Sequence, residues 1–219
     1  MKNLFTRSTF VSFFDTPARL TGLAVILSVI VSCLATAVAQ GSSFFYSSHY
    51  TKLLVLSCIF FVYAGLFIYL KISGRLSENS VVFMLILLGC FLRCGYVLLS
   101  GLYERQHDAG AYTGMGTDFV NPGHIGYIEY IYKFHKLPDI NPYELFAYYH
   151  PPLHHIISFL WLQLNIALGA AEDLAFENLQ ILPLLYSCLC MFVTWRILKA
   201  LEVEGNGLYI GLAFMVFHP

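Results

Sequence analysis

Twenty consecutive residues without a charge, Leu20 to Ala39, constrain this chain more than any other stretch in it. A helix of that length crosses about 30 Å of hydrocarbon. Further apolar runs follow at Leu53 to Leu70, Val81 to Tyr103 and Leu179 to Leu198, and another begins at Leu208. That last run stops at Pro219, about eight residues short of a crossing, as expected of a fragment of a longer protein. Only 11% of the residues are charged, against about 25% in soluble domains. The net charge of −1 leaves no basic footprint, so nucleic acid is excluded as a partner. The expected fold is an all-α polytopic membrane bundle.

Charge placement gives each run a direction. Lys2, Arg7 and Arg19 precede the first, which puts the N-terminus in the cytoplasm by the positive-inside rule. Ala37-Val38-Ala39 before Gln40 resembles a signal-peptidase site, but the long leader and the later spans favour an uncleaved anchor. Either way the next segment starts outside. Lys71 and Arg75 mark the return to the cytoplasm, and the third run then exits outward. Arg93 lies near the middle of that run, where an arginine must face protein, water or phosphate. Pairing inside the bundle and contact with a lipid phosphate are both open. The six cysteines all lie in apolar runs and read as small apolar side chains. Residues 1–80 form a two-span hairpin and residues 81–219 the start of a second module.

The ionisable groups gather in the loop 101–153. It holds six of the 13 acids, eight of the 15 tyrosines and four of the eight histidines. Within it, Gly123 to His135 spaces Ile125, Ile128, Ile131, Tyr132 and His135 as one helix face, with Glu129 and Lys133 paired at i,i+4. Such a helix lies along the membrane surface. Pro138 and Pro142 end it, and Pro151-Pro152 opens the next helix. Leu153 to Leu168 reads either as a span or as an interfacial helix. As a span it would put the three acids of 170–178 in the cytoplasm and Arg196 with Lys199 outside, so the interfacial reading is preferred.

Asp108, flanked by His107 and close to Arg105, sits just outside the third run. A carboxylate at the lipid–water boundary can take a proton from an acceptor while a lipid-linked donor stays in the membrane. The second group is Tyr148-Tyr149-His150-Pro151-Pro152-Leu153-His154-His155, in which His154 stands four residues after His150. His107, Asp108, His150 and His154 could hold a divalent metal such as zinc or manganese, although no compact motif supports it.

An Asp outside a span, an aromatic amphipathic loop, and Tyr-x-x-Pro-Pro-Leu opening an apolar helix together resemble the GT-C membrane glycosyltransferases. The likeness is to the protein O-mannosyltransferase and aminoarabinose-transferase branches and covers about residues 81–219. It implies a GT-C-like helical bundle whose large extracytoplasmic loop carries the catalytic acid, here Asp108, and two juxtamembrane helices, here 123–135 and 153–168. It implies sugar transfer from a polyprenyl-phosphate donor to a protein, glycolipid or glycan acceptor. Asp108, aided by His107, would assist the nucleophile, and Arg105 or Arg93 would offset the phosphate charge. Tyr112, Tyr148, Tyr149, Glu129, His150 and His154 would contact substrate. His150-Pro151-Pro152-Leu153 is similar to the His-Pro-Pro-Leu of the mannosyltransferase branch. Where that branch often continues Gly-Lys, this chain has His154-His155, and Ala109 stands where many relatives carry a second acid. A phosphate-binding lysine therefore does not carry over, and the donor sugar stays open.

Two other readings remain. A transporter or channel segment would put Arg93 and the histidines on an ion or proton path. A non-catalytic scaffold would use the loop to bind a partner and tolerate replacement of Asp108 and His150.

Overall fold

The computed structural model describes residues 17–102, 123–139, 141 and 151–218. Every regular element among them is helical: α1 Pro17–Gln40, α2 His49–Ile72, α3 Glu78–Leu99, α4 His124–Phe134, α5 Leu153–Ala167, α6 Glu172–Glu177, a 3-10 turn Asn178–Gln180, α7 Ile181–Ala200 and α8 Gly205–Phe217. Four stretches are long and apolar enough to cross a membrane: Arg19–Gln40, His49–Ile72, Glu78–Leu99 and Glu172–Ala200. This is the character of a multi-pass membrane protein. The fourth stretch differs from expectation, because the helix starts inside the acidic connector 170–178. Pro183 explains the 3-10 turn, since its ring clashes with the carbonyl four residues back, at Leu179.

The chain divides into two compact units, Met1–Leu99 with Pro183–Pro219, and Ser100–Leu182. In the first unit α3 is central, packed against α1, α2 and α8. α1 turns Val25, Val29, Cys33, Thr36 and Gln40 inward, a three-and-four spacing, and leaves Leu27, Val31, Leu34 and Val38 exposed. The buried Thr36 hydroxyl donates to the Ser32 carbonyl at 2.8 Å, so it adds no unpaired group. Gly89 of α3 lets two helices approach closely. A Cβ there would run into Met191 Sδ and lie 3.3 Å from Val216 Cγ2. α2 lies more loosely: Leu56 faces Gly95, and the Tyr63 hydroxyl donates to the Met84 carbonyl at 2.7 Å.

The turn from α7 to α8 puts Glu202 (φ 58°) and Gly205 (φ 55°) in the left-handed region. No side chain of the turn itself caps α8. The Glu78 carboxylate does so from the start of α3, accepting the Gly205 N–H at 3.1 Å and the Lys199 ammonium at 3.1 Å.

The second unit has its own core of Leu102, Ile125, Ile128, Leu162, Ala175, Phe176 and Leu179. α4 packs against α5. It ends where His135 turns left-handed (φ 51°) and donates its N–H to the Ile131 carbonyl at 2.8 Å. A closed polar ring links α5 to the 3-10 turn. The Trp161 indole N–H donates to the Asn178 carbonyl (2.8 Å), Asn178 Nδ2 to Asn165 Oδ1 (2.9 Å), and Asn165 Nδ2 back to the Trp161 carbonyl (2.8 Å).

Candidate functional site

Of the residues singled out from the sequence, Arg105, His107, Asp108, Tyr112, Tyr148, Tyr149 and His150 lie outside the described residues. Glu129, His154 and Arg93 lie within them. Glu129 of α4 faces Lys133 one turn on, Oε1 to Nζ 3.6 Å, as its spacing predicted. His154, in the first turn of α5, is on the exposed side of the helix, yet partial burial lowers its pKa below the usual histidine value.

The neighbouring His155 is the inward one, 1% exposed. Its Nε2 lies 3.0 Å from Nδ1 of His124, the first residue of α4. The rings are stacked, with centroids 5.3 Å apart. The Tyr127 ring stacks on His155 at 4.1 Å, inclined by 13°. His154 meets His155 edge to face at 5.8 Å. One imidazole N–H therefore donates to the bare nitrogen of the other, and two protonated nitrogens cannot face each other at that distance. Burial pushes the Tyr127 phenol up, so it remains protonated where an exposed tyrosine would ionise. The arrangement fastens the first turns of α4 and α5 together and holds a proton between two imidazoles.

Sequence reasoning weighed His154 and passed over His155, His124 and Tyr127. The signal that separates the two adjacent histidines was present. His155, Ser158, Leu162 and Asn165 recur every three or four residues and are the buried face of α5. The metal set weighed earlier has three of its four members outside the described residues. Among the described residues no group of three or more His, Cys, Asp or Glu is placed to hold a metal ion.

Arg93 is buried within the first unit, 9% exposed, and its five N–H donors all have acceptors. Nε donates to Ser187 Oγ at 2.6 Å. Nη1 donates to the carbonyls of Gly89 (3.3 Å) and Val216 (3.1 Å), and Nη2 to those of Met215 (2.7 Å) and His218 (2.8 Å). Three of these acceptors belong to the C-terminal end of α8, where helix carbonyls lack intrahelical partners and the dipole is negative. Arg93 is thus a cap supplied to α8 from α3. Compared with protein-family models, curated proteins and solved structures, the chain matches none.

Proposed function

We propose that the chain is part of a membrane glycosyltransferase that takes a sugar from a polyprenyl-phosphate donor and passes it to an acceptor at the extracytoplasmic face. The observation that carries this reading is the pair α4 and α5. They have 11 and 15 residues, both short of the roughly 20 a crossing needs, they pack on each other, and in the sequence they fall between the third and fourth membrane-length stretches. Two short helices after a span, one of them opened by Pro151-Pro152, agree with the juxtamembrane pair that the GT-C resemblance implies. The engagement of all five Arg93 donors by protein acceptors counts against an arginine-lined ion path.

In this reading Asp108 is the general base. The bond from the anomeric carbon to the phosphate oxygen breaks, the acceptor nucleophile bonds to that carbon, and its proton passes to the carboxylate. The polyprenyl phosphate leaves with the bonding electrons. The test is Asp108→Asn in the complete protein, assayed for transfer of a radiolabelled sugar from lipid-linked donors in membranes. Loss of transfer by two orders of magnitude or more is expected, with expression and insertion unchanged. Transfer close to wild type would remove Asp108 as the base and the reading with it.

A further inference from the structure

We propose that His124 and His155 form a pH-operated latch: the pair holds α4 on α5 while at least one of the two facing nitrogens is bare, and releases α4 when both carry a proton. Nδ1 of His124 and Nε2 of His155 are 3.0 Å apart. The ring centroids are 5.3 Å apart and the planes are inclined by 22°. That leaves little more than one ring radius on either side, so the two nitrogens point at each other. The geometry is a hydrogen bond whether the pair is neutral or shares one excess proton. A second excess proton changes this. With N–H bonds of about 1 Å, two facing hydrogens would stand about 1 Å apart, and no charge elsewhere in the unit relieves that overlap. The rings must then separate.

The surroundings sharpen the response. His124 is the first residue of α4 and His155 the third of α5, and the N-cap residues Gly123 and Pro152 have no polar side chain to cap either end. Both imidazoles therefore sit at the positive ends of helix dipoles, where an imidazolium is disfavoured. His155 is also buried, so its charged form loses hydration. Among the described residues, the titratable groups in contact with the pair are Tyr127, stacked on His155 and kept protonated by burial, and His154, edge to face with it. Elsewhere on the elements packed here, Glu129 pairs with Lys133 and His135 lies against Phe159. The Asp173 and Glu177 carboxylates of α6 accept the amides of Leu174 and Leu102. With 11 residues, α4 is too short to hold its helix alone in water. It depends on Ile125 and Ile128 in the core with Leu162, on Ile131 beside Ile156 and Phe159, and on the latch at its first turn. Opening the latch frays α4 from that turn, so the docking of this helix follows the acidity of the medium around it.

The experiment is hydrogen–deuterium exchange of the full chain purified in detergent, read by mass spectrometry between pH 7.5 and about 5, with each rate divided by the intrinsic chemical rate at that pH. Released histidines titrate near 6.5. The latched pair refuses the second proton that the released pair accepts, so the contact is fully present above that value and is lost as pH falls. One extra proton bound by the released form over about 1.5 pH units should lower the protection of the α4 amides roughly thirtyfold. The amides of α3 should keep theirs. His124→Gln and His155→Gln each leave a hydrogen-bonding group opposite the remaining imidazole but no second proton site, and should show no such fall. If one of them does not dock α4 at pH 7.5, the other decides. His154→Gln should leave the fall in place. Constant protection of α4 in the unaltered chain overturns the proposal, as does an equal fall in α3, which is general acid unfolding. A fall that persists in the docked variant at His124 or His155, or that disappears in His154→Gln, also overturns it.

Discussion

Replacing Arg93 by Met tests whether the buried guanidinium holds α8 in place. The substitution keeps an unbranched side chain of similar length and removes five donors at once. It also removes a cation whose burial costs several kcal/mol, so the five hydrogen bonds cannot simply be added. What remains is the penalty of the orphaned acceptors. The Met215, Val216 and His218 carbonyls lose their donors at a helix end that has none of its own. At about 1–3 kcal/mol each, less the relief from no longer burying a charge, the expected loss is about 3–5 kcal/mol. Arg93→Lys keeps the charge but not the planar fork, and should lose about 2 kcal/mol. Ser187→Ala removes only the acceptor for Nε, and should lose about 1 kcal/mol. The assay is reversible unfolding of the purified chain in mixed micelles by increasing dodecyl sulfate, followed by helical circular dichroism. In the double variant the serine should matter less than it does alone, because its partner is gone. An Arg93→Met protein within about 1 kcal/mol of wild type would refute the capping argument.

Three further expectations use the same unfolding assay. Gly89→Ala pushes a methyl group into Met191 and toward Val216, both fully enclosed or nearly so; the loss should be about 1–3 kcal/mol, partly recovered by Met191→Ala, and a neutral result would mean α3 is not held that closely. Glu78→Ala should lose about 1 kcal/mol as a missing cap on the Gly205 N–H, with little more lost when Lys199→Ala is added; full additivity of the two would contradict a shared site. The third concerns pH. His154 has its pKa lowered by burial, so its neutral form is the one the fold accepts, and its contribution is fully present above the unfolded value near 6.5. That contribution is lost as pH falls through the folded value, because the unfolded chain binds the proton more readily. Between pH 7.5 and about 5, wild type should therefore lose more stability than His154→Gln, and parallel profiles would count against it.

The long helices were legible because length without charge is enough to define a membrane helix. α1, α2 and α3 fall close to the runs Leu20–Ala39, Leu53–Leu70 and Val81–Tyr103, and α4 matches 123–135 with its two end residues serving as caps. Local chemistry was legible too: the Glu129–Lys133 pair and the Pro151-Pro152 opening are contacts a chain makes with its near neighbours. What could not be read were contacts between distant elements. His124 and His155 are 31 positions apart, Arg93 lies 94 from Ser187 and 125 from His218, and Glu78 lies 127 from Gly205. A pattern shows which face a residue occupies and says nothing of which helix meets that face.

A membrane setting removes the usual guide as well. In water the apolar side of a helix points inward, and its period reveals the core. In lipid the outward side is equally apolar, so α7 and α8 give almost no apolar period from which to read an inner face. The polar residues carry that information instead. Thr36, Gln40, Lys52, Arg93, Asn165, Asn178 and His155 are all buried, while Leu54, Val62, Ile210 and Phe214 are exposed. The chain is thus better read from its few polar residues inside apolar runs. Each such residue requires an acceptor or donor within the bundle, and finding that partner locates the helix beside it. Arg93 shows how far this goes: five donors in one guanidinium call for a cluster of acceptors, and a helix end is the one backbone feature that offers several together. Applied to α5 the same rule selects His155 over His154, because the inner face already holds Ser158 and Asn165. For the amide of Gln40 it finds no partner among the described residues.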